Sequence, residues 1–338
     1  MGERKLESPA AEDWEFPRSA TGVAILVDVG GRHGVARRSM LAGTGLSTDL
    51  DVPGAEVTAA QELRVVRNLC QRLGHDSGPV VGRAYHLGSF GPFGFAVLSS
   101  RTVQEAMNVA LRFIDLSYAF AIPSAEVVGD EVRVLVDGTK LPADVRRFLI
   151  ARDATAIHGV LDELVPGGVG GRLVLHDNGA VLSFGVAELD RPLPRGDRES
   201  VAVYEQLCAE VVQTRRRRSG VTQDARVLIA QQLPTGAPMS AVAAALGLSE
   251  RSLRRRLTDE SVSYQVLLDE VRESVACGLL AGRATLPVED LAVRLGYAGA
   301  TSFIHAFRRW TGTTPSAYAR AEVRRRTPVV HRGSMSAP

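Results

Sequence analysis

The last third of the chain contains one small unit twice, and a repeated geometry needs a repeated cause. In the first copy, Val242, Ala243 and Leu246 lead to Gly247-Leu248-Ser249, after which Leu253 and Leu257 continue on one face. In the second, Leu291, Ala292 and Leu295 lead to Gly296-Tyr297, after which Phe303 and Phe307 do the same. The copies lie about 50 residues apart, and the second turn is one residue longer. Each reads as a short helix, a turn with glycine where φ must be positive, an apolar residue plugging the corner, and a second helix. This is the pattern of a helix-turn-helix, and every segment after about residue 220 is helical.

Ser249 is placed to cap the second helix of the first copy, its hydroxyl accepting from amides of the first turn. With Leu253 and Leu257 turned inward, helical spacing puts Arg251, Arg254, Arg255 and Thr258 outward together. In the second copy Phe303, Phe307 and Trp310 point inward, and the outward stripe is Thr301, Ile304, His305 and Arg308 with Ser302 beside it. Between the copies Ser263 caps a helix predicted from Tyr264 to Ala281, with Val266, Leu267, Val271, Val275 and Leu279 apolar and Gly282 after it. A rod of that length spans roughly 27 Å. It can hold two recognition helices in successive major grooves, which recur about every 34 Å.

Charge supports the same reading. The chain of 338 residues has a net charge of +2, which splits into about +9 from Arg215 onward and about −7 before it. A compact basic domain is the electrostatic footprint of phosphate-backbone binding, and membrane surfaces would also attract it. The basic residues of this part are all arginine. That suits bidentate contacts to guanine or phosphate, and it equally suits a GC-rich genome.

The length allows two or three domains. Residues 1–20 are polar and lack apolar periodicity, so a flexible arm is expected. Amphipathic helices are expected within Val35–Cys70, on Val57, Leu63, Val66 and Leu69, and over Arg101–Leu116. Between them His86–Ser100, with three glycines among Phe90, Phe93 and Phe95, reads as a close-packed turn region. Core packing is its reading, and the aromatics of the longer segment His86–Phe120 are either ordinary core or part of a pocket wall. Strands are expected at Ala125–Val128, Glu131–Val136, Arg172–His176 and Ala180–Phe184, the last two as a hairpin across Asn178-Gly179. Helices are expected over Ala143–Leu164 and Asp197–Val212. Cys70, Cys208 and Cys277 read as buried, reduced thiols. The apolar stretch Gly22–Val27 is too short for a signal peptide or membrane span, so a cytoplasmic location and no membrane partner are expected.

At this point the residues resemble the AraC/XylS regulators. The matching string runs from Leu246-Gly247-Leu248-Ser249 and Ser252-Leu253-Arg254-Arg255-Arg256-Leu257, through Leu291-Ala292 and Leu295-Gly296-Tyr297. It ends on Phe303, Phe307-Arg308-Arg309-Trp310, Thr311-Gly312 and Thr314-Pro315. The N-terminal part is similar to the large arabinose-binding-like sensor domain of one branch of that family, anchored on Gly94, Leu98-Ser99-Ser100 and Thr102. The resemblance implies base reading by Arg251, Arg254 and Arg255 and by Thr301, Ser302 and His305. It implies phosphate contacts near Ser249, Ser252, Arg308 and Thr313. The family often has arginine where this chain has His305, which implies a weaker or different base contact there.

The expected architecture is an α+β N-terminal sensor domain followed by an all-α domain with two helix-turn-helix units joined by a linker helix. Its parts are a flexible arm (1–20), an effector-binding and dimerisation domain (21–214), a linker (215–220), a DNA-binding domain (221–326) and a flexible tail (327–338). The run Arg215–Arg218 reads as a solvated joint, with added phosphate contacts the alternative. The expected partners are double-stranded DNA, a second copy of the chain and a small apolar effector such as a fatty acid or metabolite, with RNA polymerase a further candidate. No sequence feature assigns the effector-binding residues.

The alternative from another class is a DNA-compacting protein without sequence preference. An enzyme with a DNA-binding tail is the third class. Gly167–Gly171 does not follow a strand and open a helix, as a nucleotide-binding loop must. There is no G-x-S-x-G, S-x-x-K or H-E-x-x-H. His33, His75, His86, His158 and His176 have no ligand spacing, and Asp49 and Asp51 sit in a turn pattern that suits capping. No catalytic residue, cofactor or metal is therefore expected.

Overall fold

Alternating side chains at the four expected strands do build a sheet in the computed structural model. It describes residues 6–11, 14, 16–46, 50, 55–216, 220–260, 262–281 and 286–326, the side chains of 214–216 and 322–326 excepted. The chain divides into two units, Met1–Ser219 and Gly220–Pro338. In the first, β1 (Arg18–Ser19) pairs with β2 (Glu56–Val57). A separate antiparallel sheet of order β3-β4-β6-β5 is made of β3 (Pro123–Val128), β4 (Glu131–Asp137), β5 (Arg172–His176) and β6 (Gly179–Gly185). Register sets Val132, Val134 and Val136 opposite Phe184, Leu182 and Ala180, and all six are buried on one face.

Helices cover that face and build a second layer: α1 (Thr21–Arg32), α2 (Arg37–Met40), α3 (Ala59–Leu73), α4 (Gly78–Gly82), α5 (Pro92–Leu98), α6 (Val103–Arg112), α7 (Arg146–Leu164) and α8 (Arg198–Arg216). α7 packs against β4, β5 and β6 on one side and α4 on the other. Gly82 permits the close approach, since a Cβ there would stand 2.5 Å from the Arg152 carbonyl oxygen. One apolar cluster joins α1, α3 and α7; another joins α5, α6, α8 and the sheet.

Several expectations are corrected. Val57 lies in β2, because Thr58 caps α3 by accepting from Gln61 N and the helix begins only at Ala59. Half of the expected turn region is α5, which Pro92 opens at its first position. Described residues of the arm are docked: Arg18 is 1% exposed, and Glu7 pairs with Arg112 at 2.5 Å. A sequence gives no sign that an arginine in a polar, proline-containing stretch will find buried acceptors. α8 continues through Arg216, into the segment read as linker. Cys70 and Cys208 are buried and free, and burial pushes their thiols up to about 12 and about 11, whereas Cys277 is only half-buried. Arg217, Arg218, Ser219, Asp49, Asp51, Gly282 and the tail 327–338 lie outside the described residues.

The regular elements described in the second unit are all helices: α9 (Val221–Gln232), α10 (Met239–Ala245), α11 (Glu250–Asp259), α12 (Tyr264–Ala281), α13 (Val288–Arg294), α14 (Ala300–Thr311) and α15 (Pro315–Arg326). Its core is one cluster that includes Leu253, Leu257, Leu267, Leu291, Phe303 and Phe307. Among the described residues no helix is long and apolar enough to cross a membrane.

Candidate nucleic-acid interface and a cavity in the first unit

The turn between α10 and α11 is closed by Leu248 N donating to Ala243 O at 2.9 Å, with Gly247 at φ +67. The turn between α13 and α14 is closed by the equivalent bond, Tyr297 N to Ala292 O at 2.9 Å, with Gly296 at φ +73. Left-handed backbone of this kind favours glycine. The repeat read from the sequence is thus a repeat of hydrogen bonding.

In α11, Leu253 and Leu257 are buried and Arg251, Arg254, Arg255 and Arg256 are exposed. Ser249 Oγ accepts from Ser252 N at 3.1 Å and lies 2.9 Å from Ser252 Oγ. In α14, Phe303 and Phe307 are buried, Thr301, Ser302, His305 and Arg308 are exposed, and Ile304 is half-buried. Arg309 pairs with Asp269 of α12 at 2.9 Å. Thr313 is half-buried in the turn to α15. Gly299 precedes α14 and supplies no side-chain cap. Apart from half-buried Ile304, each helix keeps its sequence-assigned outer residues on one accessible face, which is basic on α11 and mostly neutral on α14.

α12 holds the residue just ahead of α10 and the turn between α13 and α14. The Tyr264 hydroxyl donates to Ala237 O at 2.6 Å, and burial pushes its phenol up to about 12. Arg272 Nε donates to Leu295 O at 3.0 Å, and its guanidinium lies 4.5 Å from the Tyr297 ring centre. The second copy also meets the connection between α9 and α10 directly, since a Cβ on Gly296 would stand 2.3 Å from Leu233 O and 2.7 Å from Gly236 Cα. At the other end of α11, the Glu260 carboxylate accepts from Val221 N at 3.1 Å and Thr222 N at 3.0 Å, closing the start of α9.

The first unit contains a cavity of about 130 Å³. Its wall includes Leu87, Phe90, Phe93, Met107, Tyr118 and, from α7, Leu161. The segment His86–Phe120, whose aromatics read as either core or pocket wall, is both. One side of the wall abuts a buried charge cluster. Glu62 Oε2 accepts from Arg18 at 3.5 Å and Glu62 Oε1 from Arg152 at 3.3 Å. Asp153 Oδ1 accepts from Arg152 at 2.6 Å, while its Oδ2 accepts from Phe120 N and Ala121 N, both at 2.8 Å. Burial lowers the Arg18 pKa. It works against Arg152 too, but Asp153, Tyr85 and Glu62 outweigh it and the Arg152 pKa is raised. The difference follows from geometry, because Arg152 has the shorter ion pair.

Tyr85 also lines this cavity. It is 4% exposed, and its hydroxyl has no hydrogen-bond partner among the described residues. An orphaned buried hydroxyl costs about 1–3 kcal/mol. Sequence reasoning missed Tyr85 and the charge cluster. Arg152-Asp153 did leave a trace, as a charged pair inside the apolar run Phe148–Ala154, whereas Arg18 and Tyr85 left none. Among the described residues no group of three or more His, Cys, Asp or Glu is arranged to hold a metal ion.

Comparison with known proteins gives two matches along the chain. Residues 34–175 match the arabinose-binding domain of AraC transcription regulators (N-terminal), and residues 242–321 match a helix-turn-helix domain. HTH-type transcriptional regulators of Mycobacterium tuberculosis and Mycobacterium bovis are each 33% identical over 337 residues, covering 88% of this chain and 94% of theirs. The ornithine utilization regulator of Pseudomonas aeruginosa is 26% identical over 320 residues with the same coverage. The crystal structure of the transcriptional regulator CdpR from Pseudomonas aeruginosa aligns over 89% of this chain and 98% of its own, at 23% identity and a TM-score of 0.43.

Proposed function

The chain belongs to the AraC-type family of helix-turn-helix transcription regulators, and on that premise we propose that it reads a defined DNA sequence under the control of a small effector held in the first unit. The observation that carries the DNA reading is the exposed arginine face of α11 in a duplicated unit whose two copies are pinned by α12. Arg251, Arg254 and Arg255 read base edges from α11, where a guanidinium forks onto guanine O6 and N7. Thr301, Ser302 and His305 read from α14 with shorter or single contacts. Ser249, Ser252, Arg308 and Thr313 meet phosphates and set the register. The first unit, ending near residue 219, binds the effector and pairs two chains, and the DNA-bound protein works in the cytoplasm. Catalysis has no part in this reading.

Selection of binding sites from a random DNA pool, followed by footprinting of the winners, tests the DNA half. The expected result is an enriched two-part motif protected in two successive major grooves. A flat pool would make the protein a compacting one, and protection of a single groove would remove the two-copy reading. The effector half is tested by screening small molecules for a rise in melting temperature of the full chain, since a ligand that binds only the folded state stabilises it by mass action. Mass measured in parallel at micromolar concentration should report a dimer.

A further inference from the structure

The cavity of the first unit has a wall that is almost wholly apolar, including Phe93, Met107, Val134 and Leu161. Part of that wall, residues 117–119, is irregular chain whose backbone carries polar groups. The buried charge cluster takes these and their neighbours up. Arg152 and Arg18 donate to Tyr118 O at 2.8 and 3.3 Å, and Arg18 donates to Ala119 O at 3.2 Å. Asp153 Oδ2 accepts from Phe120 N and Ala121 N and its Oδ1 accepts from Arg152, so both oxygens of this wall carboxylate are occupied. Ser117 Oγ accepts from Ala119 N at 3.2 Å, and the Tyr118 hydroxyl donates to Ser89 O at 2.8 Å. The Tyr85 hydroxyl is buried away from the space, which only its ring meets.

We propose that this cavity takes an uncharged molecule of a single ring without a polar head group, an aromatic or alicyclic hydrocarbon held by shape alone. The proposal rests on the effector reading above and narrows it to a ligand chemistry. Charge sets the first limit. The guanidiniums of Arg18 and Arg152 face the carboxylates of Glu62 and Asp153, so the cluster is balanced within itself and offers no cation to an anionic ligand. Polarity sets the second: a hydroxyl on the ligand would leave water for a wall whose polar groups are already engaged, which costs affinity. Size sets the third, because at about 130 Å³ the space is close to an apolar cavity of about 150 Å³ that accepts benzene. A long-chain fatty acid is too large for it. The charge cluster and the apolar wall are then two halves of one device. An irregular segment can border a dry space only if its amides and carbonyls are satisfied elsewhere.

The test is calorimetric titration of the full chain with four probes: toluene, phenol of the same shape but with a hydroxyl, benzoate, and oleate. Toluene is expected to bind roughly tenfold or more tightly than phenol, the ordinary cost of burying a hydroxyl without a partner, with benzoate and oleate not bound. Two substitutions in the wall place the site. Ala110→Leu on α6 and Ala125→Leu on β3 each add a branched side chain where the space now is, and each should weaken toluene at least tenfold. If one of them fails to fold, the other reads the same cavity from a different element. Toluene affinity that a folded filling variant leaves unchanged would put the hydrocarbon elsewhere, and the inference falls. Phenol binding as tightly as toluene overturns it by showing a polar group that faces the space, while leaving the cavity as the effector site. Binding of benzoate or oleate in competition with toluene overturns it in favour of an anionic or larger effector. No binding by any probe overturns it too, and if the wider screen also yields nothing the effector reading falls with it.

Discussion

The α10–α11 and α13–α14 pairs share a hydrogen bond at the same place in their turns, yet they differ in what the second helix presents and in how the turn glycine is used. α11 offers a row of guanidiniums and is capped by Ser249, whereas α14 offers hydroxyls, one imidazole and the guanidinium of Arg308 and has no side-chain cap. Around Gly247 a Cβ would find open space, while around Gly296 it would overlap the backbone of the turn Leu233–Gly236. Duplication thus preserved the backbone and let the roles separate. One copy is built for strong polar contact outward, and the other is built into its neighbour.

The largest expected effect tests the inward half of that contrast. Phe307 is fully buried and makes ring contacts to Phe303, Trp310 and Tyr318. Phe307→Ala should cost about 3–5 kcal/mol, and its counterpart Leu257→Ala about 2–5 kcal/mol. Chemical denaturation followed by tryptophan emission from Trp310 measures both, and a smaller loss for Phe307→Ala would break the comparison.

The glycines give the next effect. Gly247→Ala should cost about 1–2 kcal/mol, the strain of left-handed backbone for an L-residue. Gly296→Ala carries that strain and also a clash, which adds about 1–3 kcal/mol. Equal destabilisation of the two variants would mean that the contact of Gly296 with the Leu233–Gly236 turn is soft.

How far these contrasts were legible in the sequence depends on where the deciding physics lies. The bounds of α12 match its apolar spacing, and β5 matches its expected span, because both follow from local periodicity and capping. The same holds for which residues of α11 and α14 face outward. What periodicity could not carry is close approach and buried charge. Nothing in the sequence distinguishes the surroundings of Gly247 from those of Gly296, because the overlap comes from Leu233 and Gly236, about 60 residues earlier in the chain. Arg18, Glu62 and Arg152 lie far apart in sequence, and their cluster exists only once β1, α3 and α7 have packed.

On DNA the contrast turns outward. Arg255→Ala should weaken binding to the selected site by about 1–3 kcal/mol and relax preference at one base. Arg308→Ala should weaken all sequences alike and reduce the salt slope by about 1. Thr301→Ala should fall below Arg255→Ala, because a single hydroxyl contact is neutral and not forked. Titration of labelled duplexes at several salt concentrations ranks the three, and a Thr301→Ala loss as large as that of Arg255→Ala would reverse the assigned roles.

The smallest effect sharpens the comparison at the helix starts. Gly299 has extended backbone and room for a side chain. Gly299→Ser should give α14 the cap that α11 already has and raise stability by a few tenths of a kcal/mol, and Ser249→Gly should lower it by a similar amount, about the difference between these residues at a cap. Thermal melts of the two variants should shift in opposite directions.

Two of the hydrogen bonds that α12 makes, from Tyr264 to Ala237 and from Arg272 to Leu295, fix an angle as well as a length. Each residue of a helix advances the chain by about 1.5 Å and turns it by about 100°. One residue added between Tyr264 and Arg272 would therefore move α14 hardly at all along the rod but swing it most of the way to the side. Lengthening the gap between two DNA half-sites changes distance and rotation in a different ratio, so no altered operator could absorb the error. The length of α12 is in this sense quantised, and the phase between the two reading helices is inherited with it.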